Sequence, residues 1–163
     1  MNDILILYYS KNDSTKKMAR AIARGIESSN LASSSIRTVH SDNYKESDDI
    51  LVTKEDLKKC SGMIIGSPTH FGNMAAPLKA FFDSTTDEWF NNTLESKLGG
   101  VFTSTSSMHG GQETTLISMM MPLIHHGMII AGVPYSEKNL SSTISGGTPY
   151  GPSHVSHNQK VDL

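Results

Sequence analysis

Small hydroxyl and amide side chains crowd the point where an apolar run near the start of the chain gives way to a helical pattern. The apolar residues 4–7 are followed within a few positions by Ser10, Lys11, Asn12, Asp13, Ser14 and Thr15. The free amides of a helix's first turn and the positive end of its dipole attract phosphate. This stretch therefore predicts an anion cradle, although Ser14 is equally well explained as a simple helix cap. It matches neither the P-loop nor the dinucleotide-binding glycine pattern.

Two further polar stretches follow apolar runs. The first comes after residues 63–65 and the second after residues 98–103. Both are rich in small polar residues, so a flat ligand can approach the main chain closely. A phosphate cradle with two such loops is what a flavin mononucleotide requires. The candidate residues in the two loops are Pro68, Thr69, His70 and Phe71, then Ser104, Thr105, Ser106, Ser107, Gly110 and Gly111.

The elements that must position these loops alternate along the chain. Strict alternation of strands and helices predicts one parallel sheet with helices on both faces, and ligands bind beyond the carboxyl ends of such strands. The last helix is expected to bury a stripe of Ile117, Met120, Met121 and Ile124, with a kink or a break at Pro122. The spacing of apolar residues predicts strands over 4–9, 36–40, 63–65, 98–103 and 128–131, and helices over 15–27, 54–60, 74–82 and 114–126.

Composition limits the class of protein. A length of 163 residues predicts a single domain, 1–163, and the net charge of -2 comes without a basic block for nucleic acid. No apolar stretch approaches the ~20 residues of a membrane-spanning helix. The single cysteine, Cys60, cannot form an internal disulfide, so the cytoplasm is the expected compartment. No metal site is predicted, because His154 and His157 have no cysteine or acidic partner nearby.

Several motifs, in this order, resemble those of one family. They are LYYS at 7–10, GSPTHFGNMAAPLKAFFDST at 66–85, GGVFTSTSSMHGGQETTL at 99–116, HHGM at 125–128 and GGTPYG at 146–151. The chain resembles, over nearly its whole length, the flavodoxin-like NAD(P)H:quinone oxidoreductases of the WrbA type. The resemblance implies a five-stranded parallel sheet in the order 2-1-3-4-5, a strand order whose switch point binds FMN in flavodoxin itself.

The resemblance also implies roles for the loops. Residues 10–15 would hold the FMN phosphate. Thr69, His70 and Phe71 would contact the isoalloxazine ring, and residues 104–111 would follow the polar edge of that ring.

The resemblance further implies a substrate site. His125 matches a histidine at the flavin, Trp89 matches an aromatic wall against which nicotinamide or quinone stacks, and Tyr135 would close the same pocket. NAD(P)H would give up a hydride and leave before a quinone takes two electrons at the same place, which is a ping-pong sequence. The family also implies a homotetramer, and the pair Trp89 and Phe90 would be exposed on a monomer.

Two other functions remain open. A flavodoxin would carry single electrons without being an enzyme, but such carriers are typically very acidic, unlike this chain. A flavin-poor protein-binding module is suggested by Asp13, because related phosphate loops usually have glycine there. Asn12 likewise stands where an aromatic residue is usual, and FMN binding weaker than in relatives is expected.

The last part of the sequence predicts that a final helix is missing. Residues 151–163 contain only Val155, Val161 and Leu163 as apolar side chains, too few for a helix that covers one face of a sheet. We expect the natural chain to continue past Leu163. Coverage of the bare face by a neighbouring subunit is the alternative.

Overall fold

The computed structural model describes residues 2–41 and 48–156. Its strands are all parallel and follow the order β2-β1-β3-β4-β5, with β6 paired beside β4. The predicted sheet and its strand order are confirmed. The strands are β1 (Asn2–Tyr8), β2 (Ala32–Thr38), β3 (Gly62–Pro68), β4 (Leu98–Thr105), β5 (Ile129–Ile130) and β6 (Ser153–Val155).

Helices cover the sheet on both faces. On one face, α1 packs on a cluster that includes Ile6, Tyr8 and Phe102, and on the other face α2, α3 and α5 cover Leu7 and Ile65. None of the described helices combines the length and apolar character that a membrane span requires. The helices are α1 (Ser14–Ser28), α2 (Lys54–Lys59), α3 (Ala76–Asp83), α4 (Thr86–Phe90) and α5 (Gln112–His125), followed by a 3-10 turn at Lys138–Ser141.

The fifth strand position is divided between two short strands, which corrects the prediction of one buried strand over 128–131. β5 pairs with the beginning of β4 at Leu98, whereas β6 pairs with its end at Thr103. Ile129 is mostly exposed, and only Met128 of this stretch is buried. Residues 131–152 connect β5 to β6.

The prediction for α5 was wrong for most of its buried stripe and for a break at Pro122. The buried stripe consists of Leu116, Met119 and Leu123, whereas Ile117, Met121 and Ile124 are exposed and only Met120 of the predicted stripe packs against the core. The helix also continues through Pro122 without a break. Pro122 lies in the last turn, where one lost hydrogen bond is offset by the buried stripe, and its carbonyl oxygen still accepts from the amide of His126 over 3.0 Å.

Two short elements had no sequence-based prediction, α4 and β6. In the part of the chain that the structure describes, no helix follows β6. Leu98 and Ile129 are both mostly exposed. They lie on the same sheet face as Phe102, which α1 covers. His157, Val161 and Leu163 lie outside the described residues.

Candidate functional site

The carboxyl ends of β1, β3 and β4 meet at one edge of the sheet and enclose a small polar pocket. The register pairs Pro68 with Ser104, so the loops after β3 and β4 leave the sheet side by side. The pocket has a volume of about 150 Å³ and is called the phosphate pocket below. Its lining is Ser10, Lys11, Asn12, Ser14, Thr15, Pro68, Thr69, His70, Ser104, Thr105, Ser106 and Ser156.

The head of α1 forms one wall of the phosphate pocket. The hydroxyl oxygen of Thr15 lies 2.9 Å from that of Ser104, which connects this wall to β4. The hydroxyl of Ser10 accepts from the amide of Lys16 over 3.3 Å, so the loop folds back over the first turn. The remaining first-turn amides, those of Ser14 and Thr15, have no partner within their own helix and are available to an anion.

Asp13 is the N-cap of α1 but does not line the phosphate pocket. Its φ of 60° lies in the left-handed region, where glycine is favoured and Asp is tolerated. The side chain makes no capping hydrogen bond and is exposed. The geometry accounts for the preference for glycine at this position and shows how Asp13 occupies it with its carboxylate outside the pocket.

The loops after β3 and β4 are in direct contact. The amide of Thr69 donates to the carbonyl oxygen of Ser104 over 2.8 Å. A Cβ added to Gly111, whose φ is 91°, would lie 2.8 Å from the Cα of Gly72, and a Cβ on Gly110 would lie 2.4 Å from the hydroxyl oxygen of Thr105. No side chain fits at either glycine, so both glycines allow the loop segments to pack closely against each other.

Phe71 stands at the tip of the loop after β3 with its ring in solvent. It has a φ of 53° and is followed by Gly72 at 75°, and His70 and Asn73 close the turn with paired backbone hydrogen bonds of 2.9 and 3.1 Å. A left-handed aromatic residue is strained, and such strain is concentrated at binding sites. The turn therefore presents a fully exposed aromatic ring beside the phosphate pocket.

His70 lies between the phosphate pocket and a second groove beside α3. Burial, and to a lesser extent the positive charge of Lys11, lowers the pKa of His70. The ring of Tyr9 meets it edge-on, with centroids 6.5 Å apart. His70 is therefore neutral at pH 7 and contributes hydrogen bonding, not charge, to the pocket.

Trp89 and His125 share a different cavity, of about 590 Å³, on the other side of the loop after β3. Nε1 of Trp89 donates to the carbonyl oxygen of His125 over 2.8 Å. Among the described residues, none lines both this cavity, called the Trp89 cavity below, and the phosphate pocket. Tyr135 is exposed and lines neither of them.

Ser156 is a phosphate-pocket residue that sequence reasoning missed. Its amide donates to the carbonyl oxygen of Thr105 over 2.8 Å and its hydroxyl to the same oxygen over 3.1 Å. It follows β6, whose three residues give no periodic signal. The nearby motif at 146–151 was the only indication that this part of the chain returns to the site.

The residues present fit the phosphate and the ring edge of FMN. The phosphate pocket offers hydroxyl groups, the head of a helix and Lys11, and Gly110 and Gly111 let the adjoining loops pack closely without side-chain bulk. Of the predicted residues, 10–12, 14–15, 68–70 and 104–106 line the pocket, whereas Asp13, Phe71, Ser107, Gly110 and Gly111 do not. Trp89, His125 and Tyr135 are separate from it within one chain.

Known proteins resemble this chain in sequence and in fold. The chain is 39% identical to an NAD(P)H dehydrogenase (quinone) of Chromohalobacter salexigens, over 95% of the chain and 84% of that protein. It is 42% identical to a protein of the same name from Paracoccus denitrificans, over 94% and 79% respectively. A WrbA-like flavodoxin structure from Agrobacterium tumefaciens has a TM-score of 0.70 at 22% identity and covers 96% of the chain and 84% of its own, which confirms the fold.

A family model described as NADPH-dependent FMN reductase matches residues 3–138. This range contains β1 to β5 and most of both cavities' lining. The match confirms the prediction of an oxidoreductase that uses FMN. By sequence, fold and the phosphate pocket at the head of α1, the chain belongs to the NADPH-dependent FMN reductase family.

Proposed function

We propose that this protein is an FMN-dependent NAD(P)H:quinone oxidoreductase. The observation that carries the proposal is the phosphate pocket at the head of α1, joined to two glycine-containing loops that touch each other at Gly72 and Gly111. The quinone as acceptor is supported by the relatives from C. salexigens and P. denitrificans, whose names specify it.

The chain's own residues would bind and orient the flavin. Ser10, Ser14 and Thr15 would donate to the phosphate, with Lys11 supplying positive charge. The loop main chains near Thr69 and Ser106 would face the ring, where a neutral His70 adds a hydrogen bond without a charge. Bound FMN supplies the redox chemistry, taking a hydride from NAD(P)H and giving two electrons to a quinone.

The substrate slot would lie beside Phe71. Its strained turn fixes an aromatic face in solvent, and flat rings gain from stacking on such a face. Nicotinamide and quinone are both flat and would use the slot in turn, which gives ping-pong kinetics. The reaction would take place in the cytoplasm, where the single cysteine, Cys60, stays reduced and buried.

Trp89 and His125 would reach the flavin of another subunit. Within one chain they lie in the Trp89 cavity, on the far side of the loop after β3 from the phosphate pocket. Exposed apolar side chains surround them, namely Phe90, Ile117, Met121 and Ile124. A patch of this kind marks an interface, and a closed symmetric assembly such as a tetramer would bury it.

Titration calorimetry of the apoprotein with FMN and with FAD tests the cofactor assignment. We expect one FMN per chain and much weaker binding of FAD, because the phosphate pocket accommodates one monoester and no second phosphate site adjoins it among the described residues. NADH-dependent reduction of benzoquinone should then rise in proportion to bound FMN. FAD binding as tight as FMN, or activity independent of added FMN, would contradict the proposal.

A further inference from the structure

The short helix α4 carries Trp89 and is held in place by contacts outside itself. It has five residues, far fewer than an isolated helix needs in water. Trp89 is 46% exposed, whereas Thr85 and Glu88 of the same segment are 1% and 8% exposed. The position of the indole therefore depends on what the buried side of this segment contacts.

Two hydrogen bonds join this segment to consecutive residues at the end of α5. The first is the bond from the Trp89 indole to the carbonyl oxygen of His125. In the second, the hydroxyl of Thr85 lies 2.8 Å from Nε2 of His126 and donates its own proton to the carbonyl oxygen of Phe82 over 2.6 Å. A hydroxyl has one proton, so Nε2 of His126 must be the donor to Thr85.

Thr85 is also bonded directly to the backbone of Trp89. Its carbonyl oxygen accepts from the amide of Trp89 over 3.0 Å. In addition, Oε2 of Glu88 lies 3.3 Å from Nζ of Lys54, which also donates to the carbonyl oxygen of Ser84 over 2.6 Å. Polar contacts thus connect α4 to α2 and to the end of α5.

We propose that His126 is a positioning residue for Trp89 and acts through Thr85, while the ion pair of Glu88 with Lys54 restrains α4. The inference rests on the proposed function, in which Trp89 reaches the flavin of another subunit and contacts the substrate there. His126 is 8% exposed and lines the Trp89 cavity but no part of the phosphate pocket. Its contribution is to fix the plane that the indole presents to a flat substrate.

The chain contains one tryptophan, so the indole fluorescence of the protein reports on Trp89 alone. Thr85→Val removes the hydroxyl with little change of shape, His126→Phe removes the ring nitrogens, and His126→Gln keeps a donor. Thr93→Val is the matched control, because among the described residues the Thr93 side chain makes no hydrogen bond. Emission and anisotropy are measured on apoprotein and on FMN-loaded protein, followed by the kinetics of benzoquinone reduction.

Thr85→Val and His126→Phe should lower the anisotropy of Trp89 and shift its emission to longer wavelength. They should raise KM for benzoquinone about twofold to tenfold, the range expected when aromatic stacking is weakened, while kcat and FMN content stay unchanged. His126→Gln and Thr93→Val should resemble the parent protein.

A folded Thr85→Val variant with parental anisotropy and emission would overturn the positioning role, and this variant decides the matter if His126→Phe does not fold. Altered fluorescence with unchanged KM would support the positioning of Trp89 but contradict its place in the substrate slot. Failure of the inference and failure of the proposed function are therefore separable.

Discussion

The hydroxyl groups of Thr15 and Ser104 lie 2.9 Å apart and connect the head of α1 to the end of β4 across the phosphate pocket. The two residues are 1% and 3% exposed, so the contact is shielded from water. One hydrogen bond thus joins two walls of the pocket that are far apart in the sequence, and it makes the shape of the pocket depend on the fold of the whole sheet.

Thr15→Val should weaken both the fold and the binding of FMN. The free energy of unfolding should fall by about 1–3 kcal/mol, because the hydroxyl of Ser104 is left buried without this partner. FMN affinity should fall about tenfold through the loss of one donor to the phosphate. Urea unfolding of the apoprotein and flavin fluorescence titration measure the two effects, with Thr93→Val as control. Parental FMN affinity in Thr15→Val would remove Thr15 from the cradle.

Asp13→Asn should tighten FMN binding. The substitution removes a negative charge from the phosphate loop, and Asn tolerates the left-handed φ of 60° as Asp does. We expect about a twofold to fivefold gain at low ionic strength that fades in high salt, because the carboxylate is exposed and its effect is screened. Asp13→Gly removes both the charge and the backbone strain, so its comparison with Asp13→Asn separates the two effects on FMN affinity. A salt-independent gain would indicate that the backbone, not the charge, limits binding.

Stability should decline on the acid side through His126. Burial lowers the pKa of His126, Glu88 of α4 acts against this, and Lys54 of α2 and His125 of α5 add to it. The unfolded chain then binds the proton more tightly, so the contribution is fully present above about pH 6.5 and is lost as the pH falls through the folded-state pKa. Tm measured from pH 8 to pH 5 should fall less steeply for His126→Gln than for the parent. Equal slopes would contradict this.

Ile124→Glu should disrupt self-association. Ile124 is half exposed on the stripe of α5 that also carries Ile117 and Met121, and a buried charge in an apolar interface is costly. Light scattering should give a multiple of 17.7 kDa for the parent and a smaller assembly for the variant. A parent of monomer mass at micromolar concentration would refute the proposed tetramer.

The strands next to the phosphate pocket could be predicted from the sequence because their middle residues are apolar on both faces. β1 and β3 bury Leu5 to Leu7 and Ile65, and Ser14–Ser28 has a single apolar side. The apolar pattern of each segment is therefore compatible with only one type of secondary structure. The polar loops follow from strand order, since the carboxyl ends of parallel strands must meet.

Other features depend on contacts that no local pattern reveals. Helix α5 has two apolar stripes, and the fold buries the one with Leu116 and Leu123, leaving Ile124 exposed. The five residues of α4 and the three of β6 are too short to show a period. The roles of Ser156, Thr85 and His126 depend on contacts between segments that are distant in the sequence.

The most direct test of the central claim follows flavin absorbance through the two half-reactions without oxygen. FMN-loaded protein is mixed with NADH or NADPH, and benzoquinone is then added in a separate step. The account predicts that the reduced nucleotide bleaches the flavin and that one equivalent of benzoquinone per flavin restores its full absorbance. A protein that binds FMN but is not bleached by either nucleotide, or is not reoxidised by benzoquinone, would contradict it.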